Sequence, residues 1–393
     1  MRTYEKTHPW LQFSMDLSLL SPRTWAMLGE CQSKCDHVAR TLLQPERAQR
    51  MRQVYLAKGP LASAAIEGNT LSQEQVEQHL RGELRLPPSQ QYLQQEVENI
   101  IAECNRILGE VQAGNPPELT VEGICRMNSG VLTGLDLEAY IRPGAIRDCE
   151  VGVARYRGAP PEDCDYLLER LCSWLREEIV AREEGLQKVY AILRAVLAHL
   201  YLAWIHPFGD GNGRTARLVE FQILIVSGVP DPAAHLLSNY YNKTRSRYYR
   251  RLDRAILSGA DARLFIEYAV EGFRDELQLQ LDEIRKQQID VVWRDYVHER
   301  FESRRGRAAQ RQMQLLLDLS RSEDLSGWPG WVPISDVRAI SPRMAKAYAT
   351  ATGKTISRDI NALAGMGLIA KSRTDVRARK EDIQAFLPAT ADT

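Results

Sequence analysis

The stretch HPFGDGNGRTAR, His206 to Arg217, holds an imidazole, a carboxylate, an amide, two guanidinium groups and three glycines in twelve residues. The apolar segment before it, YAILRAVLAHLYLAWI, is typical of a buried helix, so we predict that His206 ends that helix. Gly209, Gly211 and Gly213 can adopt positive φ and let backbone N–H groups approach a ligand. A second helix is predicted to begin near Gly213, and a glycine-rich turn before a helix N-terminus is a typical anion site.

The charged residues of this stretch suit a phosphate ligand. Arg214 and Arg217 are three residues apart and place two guanidinium groups on neighbouring helix faces. Asp210 is suited to bind a Mg²⁺ ion that bridges phosphates. His206 is suited to take a proton from an attacking hydroxyl. Each residue alone is more often structural, but their combination within one turn favours a functional site.

The stretch resembles the Fic family signature, HPFx[DN]GNGRxxR, at every defined position. The resemblance implies an all-α, mainly helical Fic fold with a small β-hairpin flap. It implies transfer of AMP from ATP to Ser, Thr or Tyr hydroxyls of target proteins, with Mg²⁺ or Mn²⁺ and with possible self-modification. His206 would be the general base and Asp210 the metal ligand.

The resemblance also assigns the nucleotide contacts. Asn212 and the neighbouring glycine amides would hold the α-phosphate, Arg214 the β-phosphate and Arg217 the γ-phosphate. Two tyrosines would line the adenine pocket. The complete nucleotide set is Gly211, Asn212, Gly213, Arg214, Arg217, Tyr248 and Tyr249. A related kinase class carries lysine in place of a loop glycine, so Gly213 favours AMP transfer.

The segment SAAIEGN, Ser63 to Asn69, resembles the family's inhibitory motif, [ST]xxxE[GN]. Taken alone it would be an ordinary short helix that ends at Gly68. Beside the 206–217 stretch, Glu67 is predicted to pair with Arg217 and so inhibit the enzyme. The inhibitory set is Ser63, Glu67, Gly68 and Asn69.

The segment RPGAIRDCEVGVARYRGAPP, residues 142–161, interrupts the helical pattern, and we predict a short hairpin or extended flap there. It resembles the family's flap, which pairs with the target protein as an added strand. The target-binding set is Gly144, Arg147, Val151, Gly152 and Val153. His199 is predicted to be a packed helix residue near the site.

The composition of the chain bears on whether it binds nucleic acid, membranes or structural zinc, and on whether it is secreted. Lys plus Arg and Asp plus Glu number 51 each in 393 residues, so overall charge gives no reason to expect nucleic acid or membrane as a partner. No apolar run approaches the roughly 20 residues that span a bilayer, and the first residues lack a signal peptide's apolar region. Seven cysteines without a CxxC pair indicate reduced thiols rather than structural zinc. We therefore expect a cytoplasmic protein without a membrane partner.

Four regions are expected along the chain. Residues 1–100 form an N-terminal helical region with the inhibitory motif, 101–275 the Fic core, 276–310 a mostly solvated helical linker, and 311–388 a winged helix-turn-helix domain. In the last region an amphipathic helix over 355–363 is followed by glycines and a short apolar strand.

Alternatives to AMP transfer remain open. The same site could remove AMP from modified proteins, with Glu67 positioning water. The protein could instead be a DNA-binding regulator with the Fic core as sensor, using Lys354, Arg358 and Lys371-Ser372-Arg373. The C-terminal region could also recognise protein or support a homodimer.

Overall fold

The structure is a computed structural model, and it describes residues 2–153, 156–257, 261–321 and 329–383. The chain divides into two compact units, Met1–Leu281 and Asp282–Thr393. Part of the domain expected over 311–388 lies outside the described residues.

The first unit is helical, as the sequence predicts, with one small hairpin. Its helices are α1 (Thr3–Thr7), α2 (Pro22–Ala39), α3 (Pro45–Ile66), α4 (Gln73–Leu80), α5 (Gln91–Gln112), α6 (Val121–Leu132), α7 (Pro161–Glu177), α8 (Gln187–Ile205), α9 (Asn212–Val226), α10 (Asp231–Ala234), α11 (Leu236–Lys243), α12 (Arg245–Leu257) and α13 (Arg263–Phe301). Strands β1 (Gly152–Val153) and β2 (Tyr156–Arg157) pair antiparallel.

Helix α8 is the centre of the first unit. It is apolar on nearly every face and packs most extensively against α9, so the two helices that flank the 206–217 stretch support one another. By length and composition alone α8 could cross a membrane, which differs from the expectation that no apolar run is long enough. In this structure 78% of its most apolar window is buried inside the protein.

Two details of the helical prediction are wrong. The helical spacing of apolar residues predicts one helix over 21–58, but Pro45 starts a new helix, α3, after a short non-helical segment. Helix α6 was not expected, because Gly123 and Gly130 interrupt its apolar pattern. Its start is fixed by Thr120, whose Oγ1 accepts a 3.0 Å hydrogen bond from the Gly123 N–H.

The second unit has its own core. It contains α14 (Arg307–Leu319), α15 (Pro342–Ala347) and α16 (Gly353–Gly365), with strands β3 (Val332–Pro333), β4 (Ile369–Lys371) and β5 (Asp375–Ala378) in the antiparallel order β3-β5-β4. This order of helices followed by a hairpin is the one expected of a winged helix-turn-helix, and assignment to that class stays a prediction.

Most residues of the segment 276–310 are exposed, as expected of a solvated linker, but the segment is not separate from the two units. The boundary between the two units falls within α13, and the last part of that helix belongs to the second core. Trp293, Val297 and Phe301 are buried there. Their burial explains why a segment with many charged residues forms one continuous helix.

A buried glycine in α13 gives a stability test. A Cβ at Gly272 would lie 2.0 Å from the Tyr240 ring. We expect Gly272→Ala to lower the free energy of unfolding by about 1–3 kcal/mol through overpacking. The matched control is Gly109→Ala in α5, where nothing lies within 4 Å of the added Cβ and helix propensity should give a gain of about 0.5–1 kcal/mol. Denaturant unfolding of both variants measures the difference, and a stabilised Gly272→Ala would contradict the described packing.

Candidate active site

His206 ends helix α8 in a left-handed conformation. Its φ is +51°, and it is the single non-glycine residue with positive φ among the described residues. Such a conformation is unfavourable for a side chain larger than glycine and persists only when its surroundings hold it. The prediction that His206 ends the apolar helix is confirmed.

Arg147 holds this conformation. Its Nε donates to the His206 carbonyl at 2.7 Å, and its backbone N–H donates to the Pro207 carbonyl at 3.0 Å. Its other guanidinium nitrogens donate to the carbonyls of Cys149, at 2.7 Å, and Ala159. These bonds attach the turn after α8 to the segment that leads into the flap.

The position of Arg147 differs from the target-binding role expected of it. Only 6% of the residue is exposed, and all three guanidinium nitrogens bond to main-chain carbonyls. A Cβ at Gly158 would lie 2.7 Å from Arg147 Nη2 and 2.9 Å from His206 Cβ, so glycine leaves room for this close packing. Arg147 is therefore a positioning residue for His206 in this structure.

The environment of His206 keeps its imidazole neutral. Burial, and then the positive charge of Arg147, lower the pKa of His206 to about 4, against the opposing effects of Glu67 and Asp210. A group with a lowered pKa loses its proton above that pH. The imidazole can therefore accept a proton at neutral pH.

The loop after His206 is held by two asparagines. Asn212 Nδ2 donates to the Phe208 carbonyl at 2.8 Å, and Asn212 Oδ1 accepts from the Phe208 N–H at 2.9 Å. The Asn212 amide thus shapes the loop, which differs from the direct phosphate contact expected of it. Of the three loop glycines only Gly211 has positive φ, +76°.

The second asparagine, Asn128 of α6, was not found from the sequence. It is fully buried; its Nδ2 donates to the Asp210 carbonyl at 2.9 Å, and its Oδ1 accepts from the Gly144 N–H at 3.0 Å. Gly144 has φ +75°, and a Cβ there would lie 3.0 Å from the Cys125 carbonyl oxygen. One side chain therefore links the catalytic loop to the segment before the flap.

Glu67 and Arg217 form the ion pair that the sequence predicts. Arg217 Nη2 lies 2.7 Å from Glu67 Oε1, and 1% of the Arg217 side chain is exposed against 33% for Glu67. Arg217 Nε donates to Ser63 Oγ and Nη2 to the Ser63 carbonyl, both at 2.9 Å. The buried Nη1 has no hydrogen-bond partner among the described residues.

Gly213 makes room for this pair. A Cβ at Gly213 would lie 2.1 Å from Glu67 Oε1 and 3.1 Å from Arg217 Nη1. Burial alone would raise the pKa of Glu67, but the Arg217 guanidinium holds it below its usual range, so the carboxylate is ionised. Glu67 therefore places a negative charge against the start of α9, with a fixed position and a fixed partner.

Glu96 of α5 connects the inhibitory segment to Arg214 and was also missed from the sequence. Glu96 Oε1 lies 3.2 Å from Arg214 Nη1, and Oε2 accepts from Asn69 Nδ2 at 2.9 Å. Asp210 Oδ2 lies 3.2 Å from Arg214 Nη2. Gly68, with φ +110°, completes the turn between Glu67 and Asn69.

The residues around Asp210 fit a magnesium ion. Within the described ranges there is no group of three His, Cys, Asp or Glu side chains that could hold a metal by itself. Asp210 is 45% exposed and lines the cavity. One carboxylate is sufficient when phosphate oxygens and water supply the other ligands, as is usual for Mg²⁺.

A cavity of about 620 Å³ joins these groups. It is lined by Glu67, Tyr140, Cys149, Glu150, Val151, Gly152, His206 and the loop residues 209–214. In the flap, Gly152 pairs with Arg157 and Val153 with Tyr156. Val151 and Gly152 line the same cavity as His206, and the Val153 side chain is outside the described residues.

Tyr248 and Tyr249 do not line this cavity, in contrast to the adenine contacts expected of them. Tyr248 is buried, and its hydroxyl lies 2.8 Å from Nε2 of the fully buried His199. The Tyr249 hydroxyl donates to the Ile66 carbonyl at 3.2 Å, at the end of α3. Tyr249 therefore supports the helix that carries Glu67, and His199 is a packed residue as predicted.

Comparisons with known proteins agree with this geometry. Residues 118–224 match the Fic/DOC family. The chain is 30% identical over 216 residues to protein adenylyltransferase fic-1 of Caenorhabditis elegans, which covers 55% of this chain and 39% of that protein. It is 28% identical over 227 residues to protein adenylyltransferase Fic of Drosophila willistoni, covering 56% and 40%. The chain thus spans about two fifths of the length of these curated relatives.

Solved structures show the same fold. A Fic family protein from Desulfovibrio desulfuricans G20 superposes with a TM-score of 0.55 at 20% identity, covering 93% of this chain and 98% of that chain. Fic-1 from C. elegans superposes with a TM-score of 0.53 at 27% identity, covering 67% and 73%. The helical architecture is therefore that of Fic proteins.

The contact between Arg147 and His206 predicts a change in proton affinity. In Arg147→Met we expect the pKa of His206 to rise from about 4 toward its ordinary 6.5, because a nearby positive charge is lost while burial remains. Arg147→Lys keeps the charge without the planar fork and should give a smaller rise. NMR titration of the His206 ring protons measures this, with His206→Gln to assign the signal. An unchanged pKa in Arg147→Met would contradict the assignment.

Proposed function

We propose, for a chain whose residues 118–224 form a Fic/DOC domain, that the protein is a protein adenylyltransferase. It transfers AMP from ATP to a Ser, Thr or Tyr hydroxyl of a target protein and releases pyrophosphate. The observation that carries this proposal is the partly buried imidazole of His206, with its lowered pKa, in the same cavity as a loop with backbone N–H groups and Arg214. This is the arrangement needed for deprotonating a hydroxyl beside a bound phosphate.

The chemistry assigns one task to each group. The target hydroxyl oxygen attacks the α-phosphorus, its proton goes to His206, and the bond to pyrophosphate breaks. The amide N–H groups of the loop hold the α-phosphate, and Arg214 the β-phosphate. Asp210 would hold Mg²⁺ or Mn²⁺, which neutralises phosphate charge when bound. Positioning and charge neutralisation supply most of the rate enhancement in such reactions.

The flap suits an extended target segment. Strand β1 begins at the cavity, where Val151 and Gly152 belong to the same lining as His206. A target strand added along this edge would bring its hydroxyl toward the imidazole. Self-modification requires only that a segment of another copy, or of the same chain, enters in this way.

Glu67 is proposed to inhibit the transfer. In the part of the chain that the structure describes, the buried Nη1 of Arg217 has no partner, and its Nη2 bonds to Glu67 and to the Ser63 carbonyl. A γ-phosphate that needs both would meet the Glu67 carboxylate, since two anions cannot share the position. ATP could then bind only with its α-phosphorus displaced from in-line attack. The same carboxylate could position water for removal of AMP, which is the alternative activity of this site.

The position of the isotope label tests the reaction. With Mg²⁺ present we expect protein labelling from α-labelled ATP and not from γ-labelled ATP. His206→Ala should lower the labelling rate by about 10²–10⁴-fold, because the general base is lost. His199→Asn, at a buried position away from the cavity, is the control for packing damage. If only γ-labelled ATP labels the protein, the reaction is phosphate transfer by a kinase and the proposal of AMP transfer is wrong.

Removing the inhibitory carboxylate should raise activity. Glu67→Gly frees Arg217, so we expect faster AMP transfer and stronger self-labelling, measured by mass spectrometry at matched ATP and Mg²⁺. The double variant Glu67→Gly with Arg217→Ala should lose the gain. Glu74→Gly, the same exchange at an exposed position of α4, is the control for a general effect of the substitution. Equal rates in the wild type and Glu67→Gly would make residues 63–69 a structural helix only, and accumulation of modified target at a lower transfer rate would favour AMP removal.

DNA binding by the second unit is proposed as a further activity. The exposed cations Lys354 and Arg358 of α16 share a surface with the β4–β5 hairpin, since Lys371 Nζ donates to Asn361 Oδ1 at 2.8 Å. Arg373 extends this surface at the hairpin turn. A basic helix beside a basic hairpin is the usual surface of a DNA-binding winged helix.

Salt dependence tests this proposal. We expect weak binding of the full chain to duplex DNA that decreases steeply with salt. Arg358→Ala should lower the affinity and reduce the slope of log K against log salt by about 1. Arg294→Ala, at an exposed position of α13, is the charge-matched control. No binding to genomic fragments at low salt would exclude DNA as the partner.

A further inference from the structure

A second cavity lies at the opposite end of helix α9 from the catalytic loop. Its volume is about 340 Å³, and it is bounded by the last turn of α9, by α7 and α8, and by the loop before α6. Apolar side chains form much of its wall, among them Leu119, Leu175, Ile223 and Val226. None of the groups proposed for AMP transfer lines it.

The half-buried Arg194 of α8 lines this cavity beside the apolar side chains. Its Nε is buried and has no hydrogen-bond partner among the described residues, and its Nη2 lies 3.5 Å from Ser227 Oγ, a long contact. No carboxylate of the described residues lies within 4 Å of its guanidinium. Burial lowers the pKa of Arg194.

Such an arrangement is unusual for arginine. A cation that is partly removed from water usually has a carboxylate partner or hydrogen bonds for its buried donors, because partial desolvation is costly otherwise. The C-terminal end of α9 offers a partial negative charge of about half a unit. That dipole offsets some of the cost but leaves the guanidinium fork without a paired acceptor.

We propose that this cavity binds a small organic carboxylate whose apolar body fills the space beside Leu175, Ile223 and Val226. The carboxylate of the ligand would accept hydrogen bonds from the guanidinium N–H groups of Arg194 that have no partner among the described residues. Arg176, at the rim and 58% exposed, is already paired with Glu177, with 3.5 Å between Nη2 and Oε1. The volume is at the lower end of the range for small-molecule sites.

The residues that line the cavity favour an organic carboxylate over a phosphate as the ligand. Phosphate sites present several backbone N–H groups or a helix N-terminus, whereas α9 ends here with its carbonyls. The polar side chain of Gln222 is already engaged, since its Nε2 donates to the Pro117 and Glu118 carbonyls at 3.3 and 3.2 Å. A single arginine beside an apolar wall suits one carboxylate on an apolar body.

Fluorine NMR with 4-fluorobenzoate tests the site on the full chain. We expect saturable binding to the wild type and none of the neutral isostere 4-fluorobenzamide. Arg194→Met should weaken binding at least about tenfold, which corresponds to about 1.4 kcal/mol, and Arg176→Met should weaken it less. Arg217→Ala should leave it unchanged, which excludes the catalytic loop as the binding site. Equal binding of acid and amide, no saturable binding, or equal binding by Arg194→Met would overturn the proposal.

Thermal unfolding gives a second readout that needs no ligand. A half-buried charge without a carboxylate partner is a cost to stability, so Arg194→Met should raise the unfolding midpoint. Adding 4-fluorobenzoate should raise the midpoint of the wild type but not that of Arg194→Met. A lower midpoint in Arg194→Met would assign Arg194 to stabilising the end of α9 and overturn the proposal.

Discussion

The arrangement of the site depends on the buried guanidinium of Arg217. It lies at the start of α9 with 1% of its side chain exposed, and it binds the end of α3 through Ser63 and Glu67. A buried arginine needs an anionic partner, since an uncompensated charge is strongly unfavourable. Glu67 supplies that anion within the chain. A phosphate oxygen of a nucleotide could take the place of the Glu67 carboxylate. We therefore propose that the nucleotide and Glu67 compete for Arg217.

The rest of the site is held by polar side chains that come from other helices. Arg147 holds the left-handed His206, Asn128 links the loop to the flap segment, and Glu96 joins Arg214 to Asn69. Each of these three residues contacts two or more separate segments. Their hydrogen bonds fix the loop before any ligand arrives, which lowers the reorganisation needed during reaction.

The sequence predicts some of these features and misses others for physical reasons. The position of His206, the helix after the loop and the Glu67–Arg217 contact follow from local spacing and from a recognisable motif. The contacts of Arg147 and Asn128 go mainly to main-chain groups, which have no sequence signal. The motif assigns Asn212 to the phosphate, although its amide bonds to the main chain of Phe208. The sequence does not predict α6, because the glycines of that helix interrupt its apolar pattern. Tertiary packing decides these cases.

The affinity for ADP relative to ATP tests competition at Arg217 most directly. Calorimetry of both nucleotides with Mg²⁺ gives the ratio of their dissociation constants in the wild type and in Glu67→Gly. We expect ATP to bind the wild type with little or no advantage over ADP, because Glu67 occupies Arg217. In Glu67→Gly the advantage of ATP should grow by about tenfold or more, the value of one charge-assisted hydrogen bond. The same ratio in both proteins would contradict competition between Glu67 and the γ-phosphate.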